Sequence, residues 1–252
     1  MTSRAARIQS AFTRIELLVV VVILLVLPLM ASILLPFLAR AKGRSTYISC
    51  VNNLHEIGTA YRLWANDNGD LAPSQQSVTN GGWKELLTNA NQGPFCWTNY
   101  LIIQNEMGQS PKLAICPEDE RQPAPDFTNH FSNLNVSYFV GVGASDVYPQ
   151  SIAGGDRNLG PGPAPTPDYG YSPTNGNGND VAVPLAGTTC WTLKMHSDGK
   201  TAGAGNILLG DGSAQQASSA ALGMSWLRAA TPTTNWPAGH VPSVPSIRLV
   251  FP

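Results

Sequence analysis

Glu16 stands at the edge of a long apolar run: Leu17 to Ala39, 23 positions, carry no charge. A helix needs roughly 20 apolar residues to cross a bilayer. A carboxylate at the bilayer centre costs on the order of 3 kcal/mol, so an acid on such a segment marks a function. Glu16 also fits a plainer role, a boundary carboxylate reaching the headgroups beside an uncleaved signal anchor. Thiols are a second candidate group. Cys50, Cys96, Cys116 and Cys190 include no C-x-x-C pair, which argues against zinc-ribbon and thioredoxin-like sites. Disulfides and buried free thiols both stay open, and four cysteines allow three full pairings. Oxygen donors are a third. Asp67 and Asp70 share an Asn- and Asp-rich turn, and Asp198 and Asp211 flank a Gly-rich stretch. These are candidate calcium ligands, although the EF-hand pattern is absent and a plain helix-ending turn explains Asp67 and Asp70. No other cofactor is expected. His196 lies upstream of Asp211-Gly212, and the bland reading has His196 and Asp211 hydrogen-bonding a hairpin to a sheet. No nucleophile elbow, zinc-protease helix, P-loop or dinucleotide fingerprint is present, so no enzyme is expected. Trp83, Trp97, Trp191, Trp226 and Trp236 have faces suited to sugar stacking, but core packing is their commoner use.

The elements that must position these residues are legible in outline. Past the apolar run, Tyr47, Val51, Leu54, Ile57, Tyr61 and Trp64 recur at three- and four-residue steps, one face of a helix. The membrane helix is therefore expected to continue to about Asn66, where Asn68-Gly69-Asp70 ends it. Strands are expected at Leu113–Cys116, Asn135–Val142, Thr188–Met195 and Asn206–Leu209, with short helices at Trp83–Leu87 and Asn99–Asn105. Asp211-Gly212 is a hairpin turn signal leading into Ser213–Gln216. Gly160 to Gly178 holds five Gly and five Pro, the composition of a loop. Ser218–Ala229 reads as a terminal helix and Ile247–Phe251 as an edge strand. With 15 basic and 16 acidic residues the net charge is −1, so no basic face for nucleic acid is evident. The chain from Arg40 onward is long enough for one domain with a core. Arg4, Arg7 and Arg14 precede the apolar run while Arg40, Lys42 and Arg44 follow it, so charge does not set the orientation.

The short basic leader, Ala11-Phe12 and Glu16 before the apolar run together resemble the class III signal of type IV pilins and type II secretion pseudopilins. Arg14 and Ala11 stand where those families more often have Leu and Gly. Ile48-Ser49-Cys50-Val51-Asn52-Asn53-Leu54, Ile115-Cys116-Pro117-Glu118-Asp119, Gly155-Asp156-Arg157-Asn158 and Asn206 to Ser213 are similar, in order, to patches of the large verrucomicrobial and planctomycete-like prepilin families. The resemblance implies a leader, residues 1–11, cut between Ala11 and Phe12 by a prepilin peptidase, with N-methylation of Phe12. It implies a transmembrane segment, 12–39, and an extracytoplasmic pilin-like domain, 40–252. The fold implied is α+β: a long N-terminal helix packed on a small antiparallel sheet with long loops. Leader in the cytoplasm and body outside implies a single-pass inner-membrane protein, exposed at the cell surface when assembled. Partners implied are prepilin peptidase, other pilin or pseudopilin subunits and the inner membrane. Glu16 becomes the assembly residue, neutralising the new amine of Phe12 and setting register. Cys50 with Cys116 is the favoured disulfide, because both lie in the resembling patches. His196 with Asp211-Gly212 resembles a His-spacer-Asp-Gly motif of these relatives, with a longer spacer. The function implied is a structural subunit of a type IV pilus-like or type II secretion pseudopilus filament. The alternative is a pilin-anchored extracytoplasmic binding protein for a polysaccharide or surface ligand.

Processing is directly measurable. The intact mass of protein extracted from membranes is expected to lack residues 1–11 and to carry one added methyl group. A chain still beginning at Met1 would leave the signal anchor as the correct reading.

Overall fold

The structure is a computed structural model that describes residues 13–86, 96–184, 188–197, 201–222 and 246–252. Ala11, Phe12, Asp198, Trp226, Trp236 and most of the expected helix Ser218–Ala229 lie outside these residues. The chain divides into two compact units, Met1–Ser45 and Thr46–Pro252. In the first, helix α1 begins at Arg14, and Arg14–Leu35 is long and apolar enough to cross a membrane, with none of that stretch buried.

The second unit is α+β. Helix α1 runs to Asp67. It stops there because Gly69 turns to φ +74° and the Asp70 N–H bonds back to the Ala65 carbonyl at 2.8 Å, closing the last turn. Its buried stripe is Cys50, Leu54, Ile57, Ala60 and Trp64, at helical spacing. The stripe is rotated slightly from the expected one: Tyr47, Val51 and Tyr61 flank it half-buried. Helix α2 is Cys96–Ile102. Strands β1 (Tyr138–Gly141), β2 (Ile152–Asp156), β4 (Asn179–Pro184), β6 (Ala204–Leu209), β7 (Ala214–Ser218) and β8 (Ser246–Phe251) form one antiparallel sheet in the order β4-β8-β1-β2-β6-β7. Strands β3 (Leu159–Pro161) and β5 (Thr189–Trp191) pair separately. A single helical turn, Ser219–Ala221, follows β7.

The central strands of the sheet are buried on both faces. Tyr138, Val140, Leu208 and Val250 join the α1 and α2 side chains in one cluster. Their strand neighbours Phe139, Ile207, Leu209, Leu249 and Phe251 join Leu159 and Trp191 of the small sheet in another. Alternate residues of a strand point to opposite faces, so a strand covered on both sides is largely apolar, and the buried Arg248 of β8 is paired with Asp180. This accounts for one correction: β8, expected at an edge, lies between β1 and β4. Three strands escaped the sequence reading, β2, β3 and β4, and β3 takes in Gly160 and Pro161 of the stretch expected to be loop. Strand β2 is glycine-rich for steric reasons, since a Cβ at Gly155 would sit 2.7 Å from the Phe139 ring. Leu113–Cys116 is not a strand. Pro111 opens a 3-10 turn, Pro111–Ala114, because its fixed φ and missing N–H suit a helical first position. The stretch at Trp83–Leu86 is a turn, and Trp83 and Trp191 are core residues with nearly no exposure, so neither is available to stack on a sugar.

Long loops fill the rest, and buried arginines hold them. Arg121 donates from Nη1 to the carbonyls of Asn133 and Val136, both at 2.7 Å. Its Nη2 donates to the carbonyls of Pro173 and Pro252 at 2.9 and 3.2 Å. Arg157 forks onto Asp119 through Nε at 2.7 Å and Nη2 at 2.8 Å, and its guanidinium lies 3.4 Å over the Tyr169 ring. Burial alone would raise the Asp119 pKa; hydrogen bonding and charge from Arg157 outweigh that and hold it below the ordinary carboxylate value.

Replacing Asp119 by Asn leaves the buried Arg157 without its counter-charge. The variant is expected to lose about 3–5 kcal/mol in urea unfolding at pH 7. The folded pKa of Asp119 is depressed, so its contribution is present above about pH 3.8 and lost as pH falls through the folded value. The gap between wild type and variant is therefore expected to close in acid, and an equal gap at pH 7 and pH 3 would show the ion pair is not its origin.

Candidate functional site

Glu16 sits in the first turn of α1 and does local work there. Its Oε2 accepts from the Thr13 N–H at 2.8 Å and the Thr13 hydroxyl at 2.9 Å, while its own N–H donates to the Thr13 hydroxyl at 3.3 Å. That reciprocal pattern is a capping box. Thr13-Arg14-Ile15-Glu16 carries the corresponding T-x-x-E signature, a signal the reading of Glu16 as an intramembrane acid passed over.

In the second unit, most of the singled-out patches converge on one place. Cys50 of α1 and Cys116 form a disulfide, with Cα atoms 5.1 Å apart. Beside it the Asn53 side-chain amide donates to the Ile115 carbonyl at 2.9 Å, and Thr46 hydrogen-bonds Glu118. Helix α1 is thus joined to the Ile115–Asp119 segment by a covalent bond and two polar contacts. His196 packs against the disulfide, its Nε2 3.2 Å from the Cys116 sulfur. The same nitrogen is 3.6 Å from Asp156 Oδ2, and both side chains are almost wholly buried. The Tyr47 ring packs against the imidazole at a tilt of 55°, centroids 4.3 Å apart, and its hydroxyl donates to the Gly205 carbonyl. Burial pushes the His196 pKa down to about 4, against a weaker upward pull from Glu118. Burial also pushes Asp156 well above the usual carboxylate range. Burial disfavours the charged form of both groups, which weakens any ion-pair character in their contact. Asp156 Oδ2 accepts from the Asn206 N–H at 2.7 Å, while Oδ1 has no partner among the described residues. Asp156 was legible only as part of the Gly155-Asp156-Arg157-Asn158 patch; nothing in the spacing linked it to His196.

Asp211-Gly212 makes the expected hairpin turn between β6 and β7, with Gly212 at φ +80°. Its anchoring differs from expectation. His196 and Asp211 have separate partners. The turn is tied to α1: Arg62 donates to the Asp211 carbonyl at 2.9 Å, and His55 Nδ1 lies 3.2 Å from the Gly212 carbonyl. Gly58 lets the turn approach, since a Cβ there would fall 2.9 Å from that carbonyl oxygen. Asp211 Oδ1 accepts from the Ser213 N–H, and bonding to Ser213 lowers its pKa. Asp67 and Asp70 belong to the helix-ending turn. Among the described residues, Cys50, Cys116 and His196 are the one group of three or more Cys, His, Asp or Glu ligand atoms gathered closely enough to hold a metal. Among the described residues Asp67, Asp70 and Asp211 are not part of any such group, and Asp198 lies outside those residues. A pocket of about 560 Å³ opens between α1 and the sheet, lined by Tyr61, Arg62, Asn99, Ser145 and Asp146 among others. The Tyr61 hydroxyl and Asn99 Nδ2 are buried there without partners among the described residues.

No family model, curated protein or solved structure matches this chain.

Nonreducing peptide mapping is expected to recover Cys50 joined to Cys116, and alkylation after unfolding to label Cys96 and Cys190, which are free and buried. The bridge spans a sequence separation of 66 residues, for which chain-entropy models give about 4 kcal/mol. Reduction is expected to lower stability by about that amount; recovery of Cys50 joined to Cys96 or Cys190 would overturn the pairing.

Proposed function

We propose that the chain is a membrane-anchored, pilin-like filament subunit, of the type IV pilus or secretion pseudopilus kind. On this reading a prepilin peptidase cuts before Phe12, and the N-terminal helices of neighbouring subunits pack side by side. The observation that carries the reading is the pairing of Glu16 with an apolar helical stretch of 22 residues, none of it buried. A bare apolar surface of that size needs lipid or other helices around it. In a bundle of such helices each Glu16 faces a low-dielectric surround. The free amine of Phe12 on the same or a neighbouring subunit neutralises it. Buried ion pairs contribute little net stability, but one charge pair per helix gives a unique axial offset.

The pocket favours a second reading, an anchored binding protein that holds a polysaccharide or other surface ligand there. The two readings differ in oligomeric state. Filament subunits crosslink into ladders in the envelope, and an anchored binder stays monomeric.

Two substitutions separate the roles of Glu16. Glu16→Gln preserves the capping box and removes the charge, whereas Glu16→Ala removes both. If the charge directs assembly, both variants are expected to cut crosslinked oligomers at least tenfold, equivalent to about 1.4 kcal/mol. Thermal melting of the body is expected to stay unchanged in both. Normal ladders from Glu16→Gln would reduce Glu16 to a helix cap.

A further inference from the structure

We propose that Cys50, Cys116 and His196, with Asp156 as fourth donor, hold a zinc ion when the Cys50–Cys116 bond is open. Spacing along the chain hides this site, because its ligands come from α1, the segment before Pro117, the stretch after β5 and the end of β2. The fold gathers them. The two sulfurs and a ring nitrogen of His196 all lie within 4.8 Å of one another. Two thiolates and an imidazole are a known zinc donor set that leaves a fourth position open, with Zn–S near 2.3 Å and Zn–N near 2.0–2.1 Å. Those bond lengths put tetrahedral ligand atoms about 3.3–3.8 Å apart. Nε2 is already 3.2 Å from the Cys116 sulfur and 3.6 Å from Asp156 Oδ2. The sulfurs must separate, and Asp156, which lies outside the gathered group of three, must close on the ion. Asp156 supplies the independent sign of a missing cation. Its side chain is fully buried, and Oδ1 has no hydrogen-bond partner among the described residues. A buried polar atom left unpaired is costly, and a cation bound beside it removes that cost. Soft thiolates favour zinc over magnesium or calcium.

The two occupancies exclude each other. A dithiol reductant opens the bond by thiol-disulfide exchange: two electrons pass to the protein, its two sulfurs leave as thiols, and the reductant ends as a disulfide. Zinc then displaces one proton from each thiol and, where the Asp156 carboxyl is protonated, a third from it, all three passing to solvent, and binds the two thiolates, the neutral His196 ring and the Asp156 carboxylate. A disulfide oxidant taking two electrons back releases the metal and restores the Cys50–Cys116 bond. The disulfide joins α1 to the Cys116 segment; zinc joins both of these to the His196 stretch and to β2 as well. The inference rests on the second unit alone and stands whether or not the chain forms filaments.

The test uses the full chain in detergent, oxidised or reduced with a phosphine, and titrated with cobalt(II) as a spectroscopic stand-in for zinc. Reduced wild type is expected to take up one equivalent, with thiolate-to-cobalt charge transfer and the intense visible bands of a tetrahedral site, both erased by zinc. Oxidised protein is expected to show neither. His196→Gln keeps the disulfide, so its circular dichroism and melting in the oxidised form check its fold; once reduced, it is expected to bind at least about 100-fold more weakly. A Cys50→Ser/Cys116→Ser double variant is expected to give no charge-transfer band, which excludes Cys96 and Cys190 as its source. Reduced wild type without stoichiometric tetrahedral cobalt, wild-type affinity in His196→Gln, or a surviving band in the double variant would each overturn the assignment.

Discussion

Buried loop carbonyls are the constraint on which the body depends. Much of Thr46–Pro252 is neither helix nor strand, and loop backbone taken out of water must find donors inside the protein. Arg121 supplies four such bonds from one side chain, reaching carbonyls at Asn133, Val136, Pro173 and Pro252. Burial pulls its pKa down to about 10, which still leaves it charged at neutral pH. The Asp119 carboxylate beside it attracts that charge, while Arg157, which Asp119 pairs with, repels it. Three residues before Asp119, Cys116 makes the covalent link to α1. The loops, the helix and the sheet are therefore fixed by one short segment, Cys116 to Arg121.

The parts of this architecture that follow local rules were legible in the sequence. The long helix and its end near Asp67 followed from periodicity and from Asn68-Gly69-Asp70. The β6–β7 hairpin followed from Asp211-Gly212. Cys50 and Cys116 are joined as the favoured pairing had it, although that preference came from resembling patches rather than from geometry. What stayed hidden is set by distant packing. Strand β2 contains Gly154 and Gly155, which carry no β propensity and are demanded by Phe139 and its neighbours. Strand β8 looked peripheral because it follows a Pro-rich stretch, yet it is central because a second layer covers its other face. The grouping of His196 with Cys116 and Asp156 joins three separate stretches, and no spacing rule reaches that far.

Glu16 illustrates a different kind of overlap. One side chain closes a capping box with Thr13 and, on the proposed reading, carries the charge that aligns subunits. The roles are compatible because a capping carboxylate keeps acceptor capacity for a further donor. They also explain why the residue type alone was ambiguous. A helix start placed next to an apolar run makes an acid there look intramembrane in sequence, whatever its local bonds.

The interior position of β8 has a consequence for the order in which the body can be completed. Strand β1 can pair with β2 soon after both emerge from the ribosome or a translocation channel, since they are near neighbours in the chain. Its other edge stays open until Ser246–Phe251 arrives, and β4 has no sheet to join until then. Arg121 and Ser172 likewise wait for the Pro252 carbonyl. For most of synthesis the nascent body therefore presents unpaired strand edges, the surfaces most prone to pairing with a neighbouring chain.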